Sequence, residues 1–164
     1  MAAPILNQRD LDFMLYELFD VEAMIERERY ADHSRETFNA AIETSRTVAE
    51  KYFLPIRQKV DTNQPTFDGK NVHMIPEIKQ ALDAVVAAGL GSPRANYALG
   101  GMQLPSLVAA VCDGWLSAAA STTIGYIGLT NANANLIDAH GTEDQKRQWV
   151  EPMRSGRFAG TMAM

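Results

Sequence analysis

The sequence has little of what metal or thiol chemistry needs. Cys112 is the only cysteine in 164 residues, which excludes an internal disulfide framework and any CxxC metal or redox site. The three histidines lie in separate segments without HExxH spacing: His33, His73 and His140. We therefore expect no metal site and a reducing compartment. The N-terminus lacks the basic and apolar regions of a signal peptide, so the expected location is cytoplasmic.

Positive charge is also scarce. The 15 Lys and Arg residues against 20 Asp and Glu residues give a net charge of -5, which argues against binding to a nucleic-acid backbone. With 46% apolar and 21% charged residues, the composition is that of a globular chain and excludes general disorder. The length predicts a single domain with a sizeable core.

Charges of either sign are almost missing from residues 84–137, where only Arg94 and Asp113 are charged. Helices with so few charges need to be covered on several sides. The uncharged run Gly114–Ile137 is long enough to cross a bilayer. Its serine, threonine and asparagine side chains are costly in hydrocarbon, so we expect a soluble-type core helix and no membrane span.

Periodic apolar residues predict helices over the first half of the chain. Leu11, Leu15, Leu18 and Phe19 form a helical stripe in a segment that extends to Asp32. A longer helix is predicted from the N-cap Ser34, with a break at Pro55 because proline lacks the backbone donor. Residues 62–71 are predicted to form a loop, followed by a helix from Pro76 to Gly89.

The second half predicts further helices and one strand. A helix is expected from about Pro105, and a break near Ser121 separates it from another that ends at His140, before Gly141. Thr142 and Gln145 form a capping-box pattern that begins a last helix, predicted to stop near Pro152. The apolar run 158–164 predicts a strand, which needs a neighbouring strand to satisfy its backbone groups. The predicted fold class is therefore an all-α helical bundle that leads into a β-strand.

Few residues point to catalysis. Cys112 lies on an apolar helix stripe without a basic neighbour and is expected to be an inert core thiol. Asp113 is either an acid perturbed by burial or, as we expect, a carboxylate at an exposed helix edge. Gly125 and Gly128 follow no strand, so they match no phosphate-binding loop.

The order of the segments resembles a known family. Three segments are similar to the N-terminal helical domain of flavin-dependent acyl-CoA dehydrogenases. They are residues 51–93, GGMQLP at 100–105 and AHGTEDQKRQWVEPMRSGRFAGTMAM at 139–164. The resemblance extends over about residues 34–164. The additional N-terminal segment is similar to the opening of the larger 3-methylmercaptopropionyl-CoA dehydrogenase-like branch.

This resemblance implies a domain plan. Residues 1–33 would be a helical extension, residues 34–156 the N-terminal helical domain, and residues 157–164 the start of a truncated β-barrel domain. The family's catalytic glutamate and its main flavin motif would lie beyond Met164, so this part alone is not expected to be active or to hold a catalytic residue.

The resemblance also assigns site residues. FAD would contact Met162 and Met164, and the acyl chain would contact Gly125, Gly128 and Ala132. Close packing of small residues against another helix is an equally open explanation for the last three. The asparagines at 131, 133 and 135 are unusual for a helix that lines an acyl tail, which leaves the acyl chain length unassigned.

The implied function is α,β-desaturation of an acyl-CoA thioester in fatty acid metabolism by an FAD-dependent homo-oligomer. Its electrons would pass to an electron-transfer flavoprotein or a similar acceptor. This part would form a wall of the acyl pocket. The alternative is a non-catalytic helical module that binds a partner through its uncharged helices.

Overall fold

Helices account for nearly all regular structure in the computed structural model, which describes residues 5–161. The all-α class predicted from the sequence is confirmed. The α-helices, in chain order, are α1 (Gln8–Asp12), α2 (Arg35–Val48), α3 (Arg57–Thr62), α4 (Pro76–Ala87), α5 (Ser106–His140), α6 (Glu143–Gln145) and α7 (Glu151–Arg154). The strands are β1 (Thr66–Phe67) and β2 (Val72–His73).

Wider and tighter turns join several of these helices. A π-helical turn, Phe13–Leu18, continues α1, and 3-10 turns follow at Val21–Glu26 and Glu28–Tyr30. A further 3-10 turn lies at Tyr97–Leu99, and a π-helical turn, Lys146–Val150, joins α6 to α7.

The predicted burial of the N-terminal apolar residues is only partly correct. Leu11 and Leu15 are buried, but Leu18 is 58% exposed and Phe19 is 54% exposed. The chain leaves the α-helical period at Phe13 and turns through a left-handed Asp20 (φ 44°), so Leu18 and Phe19 turn away from the core, whereas Val21 is buried again.

The predicted start and break of α2 are confirmed. Ser34 Oγ accepts a hydrogen bond from the Thr37 backbone N–H, and Thr37 Oγ1 accepts one from the Ser34 N–H. The α-helix ends at Val48. It is followed directly by a π-helical turn (Ala49–Phe53) and a 3-10 turn (Leu54–Ile56), and Pro55 lies in the 3-10 turn.

The segment predicted as a loop contains a short antiparallel hairpin. Thr66 pairs with His73 and Phe67 with Val72. The turn is fixed by Asp68, whose carboxylate accepts hydrogen bonds from the backbone N–H groups of Lys70 and Asn71. These bonds, together with the hydrogen bond to His73, lower the pKa of Asp68 to about 2.

Helix α5 is the longest element and has two parts. Ala120 has non-helical backbone angles (φ -158°, ψ 87°), one residue before the predicted break at Ser121. Residues 106–119, the covered half, pack against α2 and the turns that follow it, whereas residues 121–140 form the open half. The buried side chains of the covered half are Val108, Ala109, Cys112, Trp115, Leu116 and Ala119.

Helix α5 is also the element to be considered as a membrane span. Ser106–His140 is the one helix among residues 5–161 that is long and apolar enough to cross a bilayer. Its covered half belongs to the core of this fold, which favours a core helix over a membrane span.

The C-terminal segment begins as predicted. Thr142 Oγ1 accepts from the Gln145 N–H, and Gln145 Oε1 accepts from the Thr142 N–H. The helical segment ends at Arg154, past the predicted stop, and Pro152 lies in the first turn of α7, directly after the π-helical turn Lys146–Val150. Residues 158–161 form no strand; the rest of the predicted strand, residues 162–164, lies outside the described residues.

Candidate functional site

The structure brings the three predicted acyl-chain residues onto one face of the open half. Gly125, Gly128 and Ala132 are spaced by three and four residues, which places them along one side of the helix. Gly128 and Ala132 are exposed and Gly125 is half-buried. A Cβ atom added at either glycine would meet no atom of the described residues within 4 Å. The alternative of close helix packing at these glycines therefore has no partner within residues 5–161.

The surroundings of this face are apolar. Leu129 is 44% exposed and Leu136 is 62% exposed, and no charged residue occurs between Gly114 and Ile137. The hydroxyl of Tyr126 lies 3.3 Å from Met74 Sδ, which follows the β1–β2 hairpin. This face has no charges, and two of its positions lack a side chain. It therefore suits a hydrocarbon chain, because contact between hydrocarbon and water is unfavourable.

The last described residues run beside the open half. The Gly160 N–H donates to Thr130 Oγ1 at 2.9 Å, and the ring of Phe158 lies 6.1 Å from that of Trp149. The chain therefore leaves the described fold beside Thr130, on the side of the helix opposite the face that carries Gly125 and Gly128. The residues that the resemblance assigns to FAD, Met162 and Met164, lie outside the described residues.

Two of the three asparagines that are unusual for such a helix, Asn131 and Asn135, have structural partners. Asn131 donates to the Gly91 carbonyl and accepts from Ser92 Oγ at 2.9 Å. Asn135 Oδ1 lies 3.5 Å from the Arg154 guanidinium. Asn131 therefore fixes the segment at residues 91–92, and its side chain is turned to that segment rather than to the face that carries Gly128 and Ala132.

The two candidate reactive groups lie on the covered half. Cys112 is fully buried, and burial raises the pKa of its thiol to about 12, with a smaller contribution from Asp113. Asp113 is exposed at the helix edge, as expected; loss of hydration raises the pKa of its carboxyl, and Arg94 opposes this rise. Neither group lies on the open face. The described residues contain no cluster of His, Cys, Asp and Glu that could hold a metal ion.

One feature is not visible in the sequence pattern. A cleft of about 730 Å³ separates the loop around Leu99 and Gly100 from the α6–α7 segment. On its wall, the side chain of Arg154 is 6% exposed and donates to Asp138 at 3.0 Å. Charges of both signs and several apolar side chains line this cleft, which is distinct from the face at Gly125, Gly128 and Ala132. Its partners are 16 residues apart in the chain, and no local motif marks them.

Comparison with known proteins places these features in context. A family model for the N-terminal domain of acyl-CoA dehydrogenases matches residues 35–157. A butyryl-CoA dehydrogenase from Syntrophomonas wolfei is 23% identical over 98% of this chain and 27% of its own length. A broad-specificity linear acyl-CoA dehydrogenase, FadE5, from Mycobacterium tuberculosis is 27% identical over 96% of this chain and 26% of its own length.

The chain thus spans about a quarter of the length of the curated relatives it matches. Neither relative carries the 3-methylmercaptopropionyl-CoA name, so membership of that branch stays a prediction.

Proposed function

Because the chain belongs to the acyl-CoA dehydrogenase family through its N-terminal domain, we propose that it forms part of an FAD-dependent enzyme that desaturates an acyl-CoA thioester. Within that enzyme, the open half of α5 forms a wall of the pocket for the acyl chain. The observation that carries this role is the uncovered face at Gly125, Gly128 and Ala132.

The contribution of this face is to hold and dehydrate the hydrocarbon. A bound acyl chain loses its contact with water, which is favourable by about 25 cal/mol per Å² of apolar surface. The absent side chains at Gly125 and Gly128 let the chain approach the helix backbone closely. A chain held in one position keeps its reacting carbons in place for the chemistry beyond this domain.

The flavin supplies the redox chemistry when it is bound, by accepting the hydride that leaves the β carbon as a base takes the α proton. The open face carries no group suited to act as that base. The candidate FAD contacts, Met162 and Met164, lie outside the described residues. The role proposed for the described residues is therefore limited to the acyl chain.

The remaining features of the proposal concern the whole protein. We propose a homo-oligomer in the cytoplasm that passes its electrons to an electron-transfer flavoprotein or a similar acceptor. The relatives' names, one a butyryl-CoA dehydrogenase and one acting on linear acyl-CoAs, support an acyl-CoA substrate.

The test uses the full-length protein and a series of linear acyl-CoAs of increasing length, with anaerobic bleaching of the flavin as the readout. In the Gly128→Leu variant, the new side chain occupies the space over the open face. We expect kcat/KM for the longest substrates to fall by about tenfold to a hundredfold, while the shortest substrate keeps most of its activity. The matched control is Ala110→Leu, which adds a similar side chain at an exposed position of the covered half.

An equal loss for all chain lengths, accompanied by a lower melting temperature, would show that Gly128 serves packing and not the acyl chain. A full-length protein that binds no FAD and bleaches with no acyl-CoA would favour the non-catalytic interaction module.

A further inference from the structure

The open half of α5 depends on its own contacts for its direction. The backbone angles of Ala120 interrupt the helix, so the covered half does not by itself fix the direction of the residues that follow. From residue 128 onwards, the open half packs against a small apolar cluster within the described residues. The buried members of this cluster are Ala134, Val150 and Met153. Apolar packing therefore gives this part of the helix limited support.

Polar contacts fasten the same part of the helix to other segments. Its contributing residues are Thr130, which accepts from the Gly160 N–H, Asn131, which bonds to residues 91 and 92, and Asp138, which accepts from Arg154. Helical spacing turns these three side chains away from Gly125 and Ala132. The open half is thus anchored from one side, and the face at Gly125, Gly128 and Ala132 stays bare.

The contact between Asp138 and Arg154 is the most buried of the ion pairs. The side chain of Arg154 is 6% exposed and that of Asp138 is 33% exposed. Nη2 of Arg154 donates to Asp138 Oδ2 at 3.0 Å, and Nε and Nη1 are buried without a partner among the described residues. A guanidinium that has lost its hydration depends strongly on the carboxylate that remains paired with it.

The position of Asp138 is unfavourable for the helix itself. Asp138 lies in the last turn of α5, which ends at His140. The end of a helix carries a partial negative charge, which repels a carboxylate there. The stability of α5 as an isolated helix therefore does not explain this residue, whereas its partner on α7 does.

The neighbouring ion pairs are of a different kind. Glu143 pairs with Lys146, and Asp144 pairs with Arg147, each three residues apart within one helical segment. Such pairs on an exposed surface contribute little and cannot join two elements. Among the described residues, the ion pair that joins α5 to α7 is Asp138–Arg154.

We propose that the Asp138–Arg154 pair positions the acyl site. It holds the open half against α7 at the angle at which Gly125, Gly128 and Ala132 face the acyl chain. Neither charged residue touches the substrate; both act through the helix. Without the pair, the open half can change its angle at Ala120, and a long acyl chain, which contacts more of the face, loses more than a short one. This inference rests on the proposed function.

The first test measures kcat and KM of the full-length protein for the shortest and longest members of a series of linear acyl-CoAs. Arg154→Met keeps an unbranched side chain and removes the charge. We expect KM for the longest substrate to rise by about tenfold and kcat for the shortest to change by less than about twofold. Arg154→Lys keeps the charge and should retain most of the preference for the long chain.

A double-mutant cycle identifies the pair as the cause. Asp138→Asn keeps the shape of the side chain and one acceptor oxygen, so it should give a smaller change in the same direction. It also covers the case in which Arg154→Met does not fold. The double variant should equal Arg154→Met, because one substitution already removes the pair.

Amide hydrogen exchange provides a readout that does not depend on activity. In Arg154→Met, the amides of residues 130–140 should exchange about tenfold faster, the effect of losing a hydrogen bond from a charged donor. The amides of residues 106–116, in the covered half, should keep their rates. The matched control is Arg147→Gln, which removes an exposed guanidinium from the neighbouring segment and should alter neither exchange nor KM.

Three results would each overturn the proposal. They are an equal loss of activity for long and short substrates, unchanged exchange of residues 130–140 in Arg154→Met, and additive effects in the double variant. If Gly128→Leu shows a chain-length effect and Arg154→Met does not, this inference fails alone. If no acyl-CoA bleaches the flavin of the unmodified protein, the proposed function fails and this inference fails with it.

Discussion

The two halves of α5 carry equally few charges but have different surroundings. In the covered half, the side chains of Trp115 and Leu116 are almost completely buried, at 1% and 0% exposure. In the open half, Leu136 is 62% exposed, and the glycines at 125 and 128 face empty space within the described fold. Each half contains one charged residue, Asp113 in the covered half and Asp138 in the open half, so charge does not distinguish them.

The difference shows that the missing charges have two separate causes. In the covered half they reflect the core of this domain, which α2 and the N-terminal segment complete. In the open half they mark the face at Gly125, Gly128 and Leu136, which the described residues leave uncovered, while the opposite side at Thr130 and Ala134 is buried. The following predictions test this distinction.

The largest expected effect is on the stability of the covered half. Trp115→Ala removes a fully buried indole, and the cavity should lower the free energy of unfolding by about 3–5 kcal/mol. The matched change in the open half, Leu136→Ala, should cost less than about 0.5 kcal/mol. Chemical denaturation followed by circular dichroism measures both. Similar losses for the two variants would remove the distinction between the halves.

The reactivity of Cys112 measures how tightly the covered half is closed. Because burial raises the pKa of its thiol from 9.0 to about 12, alkylation at about pH 8 should be about a thousandfold slower in the folded chain than in the unfolded chain. The unfolded thiol loses its proton at lower pH than the folded one. Stability should therefore fall as the pH rises from 9.0 towards 12. Equal labelling of folded and unfolded protein would show that the covered half opens readily.

A smaller effect is expected at the contact between α2 and the covered half. Ser45 is fully buried, and its hydroxyl donates to the Cys112 carbonyl at 2.7 Å. Ser45→Ala should lower the free energy of unfolding by about 0.5–1.5 kcal/mol. Ser117→Ala, at an exposed position of the same half, is the control and should have little effect. A neutral Ser45→Ala variant would mean that packing alone joins α2 to this half.

The smallest effect has the opposite sign and concerns the open half. Gly128→Ala should raise the free energy of unfolding by just under about 1 kcal/mol, because alanine favours the helix and its Cβ meets no neighbour. At Gly141, beyond the end of the helix, an added Cβ would lie 2.6 Å from the Ile137 carbonyl oxygen, so Gly141→Ala should destabilise. If Gly128→Ala also destabilised the chain, the open face would be packed in solution.

Much of the helical plan followed from local chemistry. Several helix boundaries depend on residues within a few positions of one another. They are the caps at Ser34 and Thr142, the break at Pro55 and the end of α4 before Gly89. The hairpin at residues 66–73 was missed because its two strands have only two residues each, too few to show alternation. The N-terminal stripe failed at Leu18 and Phe19 because a π-helical turn changes the period that the pattern assumes.

The sequence by itself therefore determined that this chain is helical, where most of its helices begin and end, and that α5 breaks near Ala120. Those features depend on backbone hydrogen bonding between close neighbours. Only the tertiary structure decided which half of α5 is buried, that Asn131 fixes the loop after α4, and that Asp138 meets Arg154. Burial and long-range hydrogen bonds depend on residues that are distant in the chain, and an apolar stretch has the same composition whether or not another segment covers it.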